Sequence, residues 1–170
     1  MAEKKNPIGP TGDAVRANIA AHRARMGLGY ADLSRRLEAI GRPIPVLGLS
    51  RIEKGERRVD ADDLVALAVA LDVSPLTLLT PKSHGVDTTV IATGTGHVAA
   101  LDLWQWMRTD LPLGGSLEDV TGNLEFQWRS KPPWMQAEVV DRRERYTADH
   151  LRAAADRYDD AIRKSARGDD

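Results

Sequence analysis

The sequence predicts a mainly α-helical fold, with five short helices in the first half and a small α+β or irregular C-terminal region that ends in a helix. Two patterns in the first half predict the helices. Apolar residues recur three or four positions apart from residue 12 to residue 80, and glycines and prolines divide them into short stretches. After residue 87 β-branched and loop-like segments dominate, and helical spacing returns near the C-terminus.

Composition divides the chain into four parts. The first residues are polar, and "TPKSHG" is typical of a linker. The predicted parts are a flexible N-terminus (1–11), a helical domain (12–80), a linker (81–87) and a small C-terminal region (88–166).

Residues at the helix ends locate the five helices. We expect the third helix to open near Pro45 and to end at Gly55, because proline is tolerated in a first turn and glycine terminates helices. Asp60 and Ser74 are expected to cap the fourth and fifth helices. The apolar stripes expected in the core are Val15 and Ile19, Leu33 and Leu37, Leu49 and Ile52, and Leu64, Leu67, Ala68 and Leu71.

The C-terminal region has a mixed pattern. "VDTTVIATGTGHV" predicts a short hairpin, and "ALDLWQWM" a short helix. "LPLGGSLEDVTGN" is loop-like, and "KPPW" marks a break. We expect the last helix to begin near Ala148, with Thr147 as its N-cap.

Charge is unevenly distributed, although the net charge is −1. Residues 1–82 carry 13 basic and 10 acidic side chains, whereas residues 83–170 carry 11 and 15. Five basic and two acidic residues lie between Arg42 and Arg58. Because local clustering determines where a polyanion is attracted, the first half is compatible with nucleic-acid binding.

The sequence indicates a cytoplasmic protein. It contains no cysteine, so disulfides and thiolate metal sites are excluded. No apolar run approaches the roughly 20 residues of a membrane span. The N-terminal lysines precede no apolar stretch of the kind found in signal peptides.

One stretch resembles a known family. "LSRIEKGERRVDADDLVALAVALDVSPLTLL" is similar to the second half of the repressor-type helix-turn-helix domain, the family of lambda-like and Cro-like repressors and xenobiotic-response-element (XRE) regulators. The resemblance extends back through "ADLSRRL" and covers about residues 12–80. It implies a five-helix, lambda-repressor-like domain that binds double-stranded DNA with its third helix in the major groove.

The resemblance also implies roles for individual residues. Arg51 matches a base-reading position and could bind guanine through two hydrogen bonds, while Val46 and Leu47 could contact thymine methyl groups. Tyr30, Lys54, Arg57 and Arg58 match or lie near phosphate-contacting positions.

Glu53 has a structural role in the resembling family, where it pairs with an arginine of the first helix. Here that arginine is Arg23, and we expect a partly buried ion pair.

The turn before the third helix departs from the family. Leu33 and Ser50 are 17 residues apart, whereas the family has about twelve in this helix–turn–helix unit. The extra residues lie within "EAIGRPIPV", and either a longer second helix or an extended loop accommodates them. Arg42 then lies near the start of the third helix and is a further candidate for base contact.

Catalysis is not expected. Ser116 and Lys131 were considered because some related repressors carry a self-cleaving Ser/Lys domain, but the residues around Ser116 do not match that motif. The four histidines lack metal-ligand spacing, so no metal or other cofactor is expected.

Large apolar residues in the C-terminal region have two interpretations: a small core, which the sequence favours, or an interface, since tryptophan is enriched at binding hot spots. The candidate residues are Trp104, Trp106, Trp128, Trp134, Leu151, Tyr158 and Ile162.

The sequence therefore predicts a DNA-binding transcriptional regulator, in particular a repressor that acts as a homodimer. A protein-interaction module, such as an antitoxin or adaptor that holds a partner protein through its C-terminal part, is the alternative. The sequence does not indicate a small-molecule effector.

Overall fold

The computed structural model describes the backbone of residues 7–167 and the side chains of residues 7–157. The chain divides into two compact units, one up to Met107 and one from Arg108 onward. The first unit contains the elements α1 (Pro10–Arg25), α2 (Tyr30–Ala39), α3 (Val46–Glu53), α4 (Ala61–Ala70), α5 (Pro75–Leu79), β1 (Thr89–Ala92), β2 (Gly96–Ala99) and α6 (Ala100–Met107).

The core of the first unit lies among helices α1 to α5. Each of the apolar stripes predicted from the sequence contributes to it, apart from Leu64, which packs partly buried against its edge. Burial of these side chains is the main stabilising contribution, because each removes a large apolar surface from water. The fully buried residues are Ile19, Leu33, Leu37, Ile44, Leu49, Ile52, Leu67, Leu71 and Leu78.

Two predicted helix caps are confirmed. The Asp60 carboxylate accepts a hydrogen bond from the backbone N–H of Asp63 at 2.7 Å. The Ser74 hydroxyl oxygen accepts one from the N–H of Leu76 at 3.1 Å. Both satisfy N–H groups that have no partner within their own helix, which is why the sequence signal was reliable.

The additional residues before α3 form an extended loop. Helix α2 ends at Ala39, and Gly41 adopts a left-handed conformation with φ of +80°. The side chain of Ile44 is buried in the core, and the Ser34 hydroxyl donates a hydrogen bond to the Ile44 carbonyl at 2.8 Å. The loop is therefore anchored at Ile44, immediately before α3 begins.

The predicted hairpin and short helix are also confirmed. Strands β1 and β2 pair antiparallel, and Leu103 of α6 is buried against them with Val90 and Ala92. The hairpin turn is joined to the start of α1, where the backbone N–H of Thr93 donates to the Thr11 hydroxyl at 2.8 Å. The first unit thus extends past residue 80, because the hairpin bonds to α1. The limits of the DNA-binding domain, 12–80, stay a prediction.

The second unit contains α7 (Val120–Ser130) and α8 (Pro133–Arg167), and it corrects two expectations. "VTGN", predicted as loop, is the first turn of α7, capped by the Asp119 carboxylate, which accepts from the Gly122 N–H at 3.0 Å. Thr147 lies inside α8 rather than at its start. Its hydroxyl donates to the Arg143 carbonyl at 2.9 Å, and a threonine bonded to the preceding turn does not require a helix start.

The described part of α8 is largely exposed. Val139 is buried and packs with Leu124 of α7 in the same unit, whereas almost all side chains from Val140 to Arg157 are accessible. None of the described helices combines the length and apolar character needed to cross a membrane.

Candidate nucleic-acid interface

The outward face of α3 carries two exposed apolar side chains and two cations. Val46 and Leu47 lie in its first turn, and Leu47 is 61% exposed. Arg51 is one helical turn after Leu47 on the same face, and Lys54 follows at the C-terminal end. Within the described part of the chain, neither Arg51 nor Lys54 has a hydrogen-bond or ion-pair partner for its side chain. Both cations are therefore available to a ligand.

The opposite side of α3 is held by Glu53. Arg23 of α1 donates two hydrogen bonds to the Glu53 carboxylate, from Nε to Oε1 at 2.7 Å and from Nη2 to Oε2 at 2.9 Å. The Tyr30 hydroxyl donates to Oε2 at 2.9 Å, and the Arg23 guanidinium lies 4.3 Å from the centre of the Tyr30 ring. The hydrogen bond to Glu53 raises the pKa of both Arg23 and Tyr30 above their ordinary values. The Glu53 carboxylate is thus paired inside the domain, as the family resemblance implied, and its charge is balanced by Arg23.

The hydroxyl of Tyr30, which was expected to contact a DNA phosphate, is bonded to Glu53. A phosphate accepts hydrogen bonds, and the phenol has one proton to donate. That proton is used by Glu53. Phosphate binding by this hydroxyl would therefore require the bond to Glu53 to break.

Arg42, Arg57 and Asp63 form a second charged group, which we call the Asp63 cluster. Arg42 Nε donates to Asp63 Oδ1 at 2.9 Å, and Arg57 Nη2 donates to Oδ2 at 2.6 Å. The Asp63 side chain is 2% exposed. Arg42 also faces Asp60 at 3.3 Å and Asp62 at 3.8 Å. The hydrogen bond to Asp63 raises the pKa of Arg42. Arg42 thus lies against the acidic first turn of α4.

Gly48 provides the space that Arg57 occupies. A β-carbon at Gly48 would lie 2.8 Å from Arg57 Nη1 and 3.1 Å from the side chain of Ile44. The group nearest to this position is therefore Arg57 of the same chain.

Residues 19–78 match a protein-family model described as Helix-turn-helix. These residues form a repressor-type, XRE-type helix-turn-helix domain. Comparisons with curated proteins and with solved structures gave no match. The match supports a DNA-binding domain in this segment, in which α3 corresponds to the second, recognition helix of the motif.

The remaining predicted phosphate contacts lie at the end of this recognition helix. Arg58 donates a hydrogen bond to the Pro7 carbonyl, so its charge is not neutralised by that partner. Arg57 is bound within the Asp63 cluster, whereas Lys54 is exposed. Arg16, which we did not single out, also lies here and donates to the Glu53 carbonyl at 3.4 Å.

Sequence reasoning missed Asp63 in the helix-turn-helix domain. Its place in the first turn of α4 suggested an interaction with the helix dipole and nothing more. Its partners are 21 and 6 residues away, at the two ends of the recognition helix. The one available signal was the group of three aspartates, Asp60, Asp62 and Asp63, close to a basic segment.

The tryptophans lie outside the helix-turn-helix domain and in both units. Trp104 and Trp106 belong to α6, whereas Trp128 and Trp134 belong to the second unit. The interpretation of the last two as core residues is wrong, because Trp134 is 78% exposed and Trp128 is about half exposed. Leu151 is exposed, and the side chains of Tyr158 and Ile162 lie outside the described residues.

Trp128 instead lines a groove of about 350 Å³ between α7 and α8. Its walls include Leu124, Val139 and Val140, with Glu125, Arg129 and Arg143 also lining it. An apolar groove with charges of both signs in its lining, beside an exposed helix, is a candidate contact surface.

Ser116, the serine weighed as a nucleophile, lies in a local turn, where its hydroxyl oxygen accepts a hydrogen bond from the backbone N–H of Glu118 at 3.2 Å. In the part of the chain that the structure describes, no three potential metal ligands come together.

Proposed function

We propose that the protein is a sequence-specific transcriptional repressor that inserts α3 into the major groove of double-stranded DNA. The observation that carries this proposal is the outward face of α3, where unpaired cations adjoin exposed apolar side chains on a helix fixed from behind by Glu53. The target is chromosomal DNA, so the protein acts in the cytoplasm.

Arg51 supplies most of the base recognition. A guanidinium can donate two parallel hydrogen bonds to the O6 and N7 atoms of guanine, and no internal acid competes for it within the described residues. Leu47 and Val46 add apolar contact with thymine methyl groups. Arg42 is placed to act indirectly, because its guanidinium is turned toward α4.

Lys54, Arg57 and Arg58 supply contacts to phosphates, which orient the protein on the duplex without reading sequence. Lys54 and Arg58 carry charges with no acidic partner in the described residues, whereas Arg57 shares its charge with Asp63. Tyr30 contributes indirectly: its ring lies against the Arg23 guanidinium and its hydroxyl bonds to Glu53, so it helps to hold the ion pair behind α3.

A footprint on the promoter of its own gene tests this function. We expect protection of a short site whose affinity for a dimer falls roughly 100- to 2,000-fold between about 50 and 200 mM salt, as for four to six neutralised phosphates, two or three from each protomer. Binding that is insensitive to salt, or co-purification of a stoichiometric partner protein with no protected site, would contradict repression and favour the adaptor function.

We further propose that the protein is a homodimer formed through the α7–α8 groove and the exposed stripe of α8 that carries Val140 and Leu151. In proteins most of the stability of a helix comes from packing of its apolar face, so a partner is expected for the exposed part of α8. Residues 138–157 carry five basic and five acidic side chains, and this balance suits a second copy of the chain better than a strongly charged partner. A two-fold dimer also matches the usual symmetry of operators for this motif.

Light scattering of the purified full chain tests the dimer. The wild type should have twice the mass of the chain, and Val140→Glu should shift it to the monomer because a carboxylate would enter the apolar groove. Ala153→Glu is the matched control, since it adds the same charge on the opposite face of α8. A monomeric wild type, or equal effects of both variants, would contradict this interface.

A further inference from the structure

We propose that Asp63 is a positioning residue that sets the orientation of α3 on DNA and thereby its sequence specificity, without contacting DNA itself. This inference rests on the proposed DNA-binding function and adds to it a specificity residue in α4.

The two arginines of the Asp63 cluster lie on either side of α3 in sequence. Arg42 is four residues before the first residue of the helix, and Arg57 is four residues after the last. Each arginine binds a different oxygen of the Asp63 carboxylate, at 2.9 and 2.6 Å. One carboxylate therefore joins the segments that lead into and out of the recognition helix.

Asp63 is itself held in place. The backbone N–H of Asp63 donates a hydrogen bond to the Asp60 carboxylate. Helix α4, which carries Asp63, contributes Ala66, Leu67 and Ala68 to the core. A buried carboxylate loses its hydration and depends on its charged partners, so the arrangement tolerates little displacement. A rotation of α3 would have to break at least one of the two ion pairs.

Gly48 provides a second, independent observation. It is the third residue of α3, where a β-carbon would approach Arg57 Nη1 to 2.8 Å and the side chain of Ile44 to 3.1 Å. Glycine is unfavourable inside a helix. An alanine at this position would require both the end of the Arg57 side chain and Ile44 to shift.

The loop before α3 is long, so the position of the start of α3 depends on the attachments of this loop, one of which is the Asp63 cluster. Residues 40–45 follow the end of α2, and they are fixed by Ile44 in the core and by Arg42 on Asp63. Without Asp63, Arg42 keeps only its longer contacts to Asp60 and Asp62, at 3.3 and 3.8 Å, and α3 gains freedom at its N-terminal end.

The charge removed by Asp63→Asn distinguishes a positioning role of Asp63 from a role in the stability of the domain alone. Asp63→Asn removes a negative charge and releases two guanidiniums near the DNA-binding face. Binding to unrelated DNA should therefore stay equal or increase, because it depends on charge. Binding to the specific site should decrease, because it depends on where Arg51 lies.

The experiment compares affinity of the full chain for a duplex selected by the wild type and for a scrambled duplex of the same composition. Asp63→Asn and Gly48→Ala should each reduce the ratio of specific to non-specific affinity about 10- to 100-fold, the range expected for loss of one well-placed base contact. Asp62→Asn is the matched control, because it removes the same charge from a side chain that is 83% exposed and 3.8 Å from Arg42. Its ratio should equal that of the wild type.

The outcomes separate the two claims. A wild type that does not discriminate between the duplexes contradicts the DNA-binding function itself. If the wild type discriminates and folded Asp63→Asn or Gly48→Ala retains the wild-type ratio, the positioning role is overturned. A parallel loss of both affinities also overturns it, since that is the result of partial unfolding. Circular dichroism establishes that each variant is folded, and Gly48→Ala decides the question if Asp63→Asn does not fold.

Discussion

Glu53→Ala is expected to lower the free energy of unfolding by about 3–5 kcal/mol, the largest effect of any single polar substitution considered for this domain. The carboxylate accepts two hydrogen bonds from Arg23 and one from Tyr30, and its side chain is 9% exposed. Removing it leaves the Arg23 guanidinium, which is 17% exposed, without its charged partner. Urea denaturation monitored by circular dichroism measures the loss.

Two further variants show whether this loss comes from the stranded charge. Glu56→Ala removes an exposed carboxylate three residues later, and it should change stability by less than about 0.5 kcal/mol. Replacing both Arg23 and Glu53 by methionine should recover part of the stability, because no charge is then buried without a partner. A loss in Glu53→Ala as small as that in Glu56→Ala would be inconsistent with the pair holding α3.

Arg51→Ala should weaken binding to the selected site by about 1–3 kcal/mol and relax the preference at one base pair in each half-site. Arg51 is the exposed arginine of α3, and its side chain has no partner among the described residues. Its loss should leave the stability of the domain nearly unchanged. Fluorescence anisotropy with the selected duplex and its single-base variants measures both quantities.

Lys54→Ala provides the comparison for Arg51→Ala. It should weaken binding to all duplexes equally and reduce the slope of log affinity against log salt by about one, as expected of a phosphate contact. If Arg51→Ala also weakened all duplexes equally, Arg51 would be a phosphate contact and base reading would have to lie elsewhere on α3.

The helices of the first unit could be predicted because their determinants are local. Asp60 and Ser74 cap the helices that they precede, and the spacing of Leu33 and Leu37 marks the buried face of α2. Such signals depend on residues within one or two turns of each other. The expectation of an ion pair between Arg23 and Glu53 came from the family resemblance, not from local spacing.

The Asp63 cluster could not be predicted because it depends on the path of the loop before α3. Arg42 is 21 residues from Asp63, and the sequence left open whether the extra residues extend α2 or form a loop. The second unit was predicted less well for a different reason. A threonine can cap a helix or lie inside one, and the Thr147 hydroxyl bonds to the carbonyl of the preceding turn within α8. Trp134 was expected in a core because it is large and apolar, but its side chain is exposed.

Base reading by α3 can be tested by selecting bound duplexes from a random pool with the purified full chain. We expect an enriched motif with two symmetry-related halves about 10 base pairs apart, each with a guanine preference that disappears in Arg51→Ala. Recovery of duplexes with no enriched sequence, from a protein shown to be folded, would contradict sequence recognition by α3.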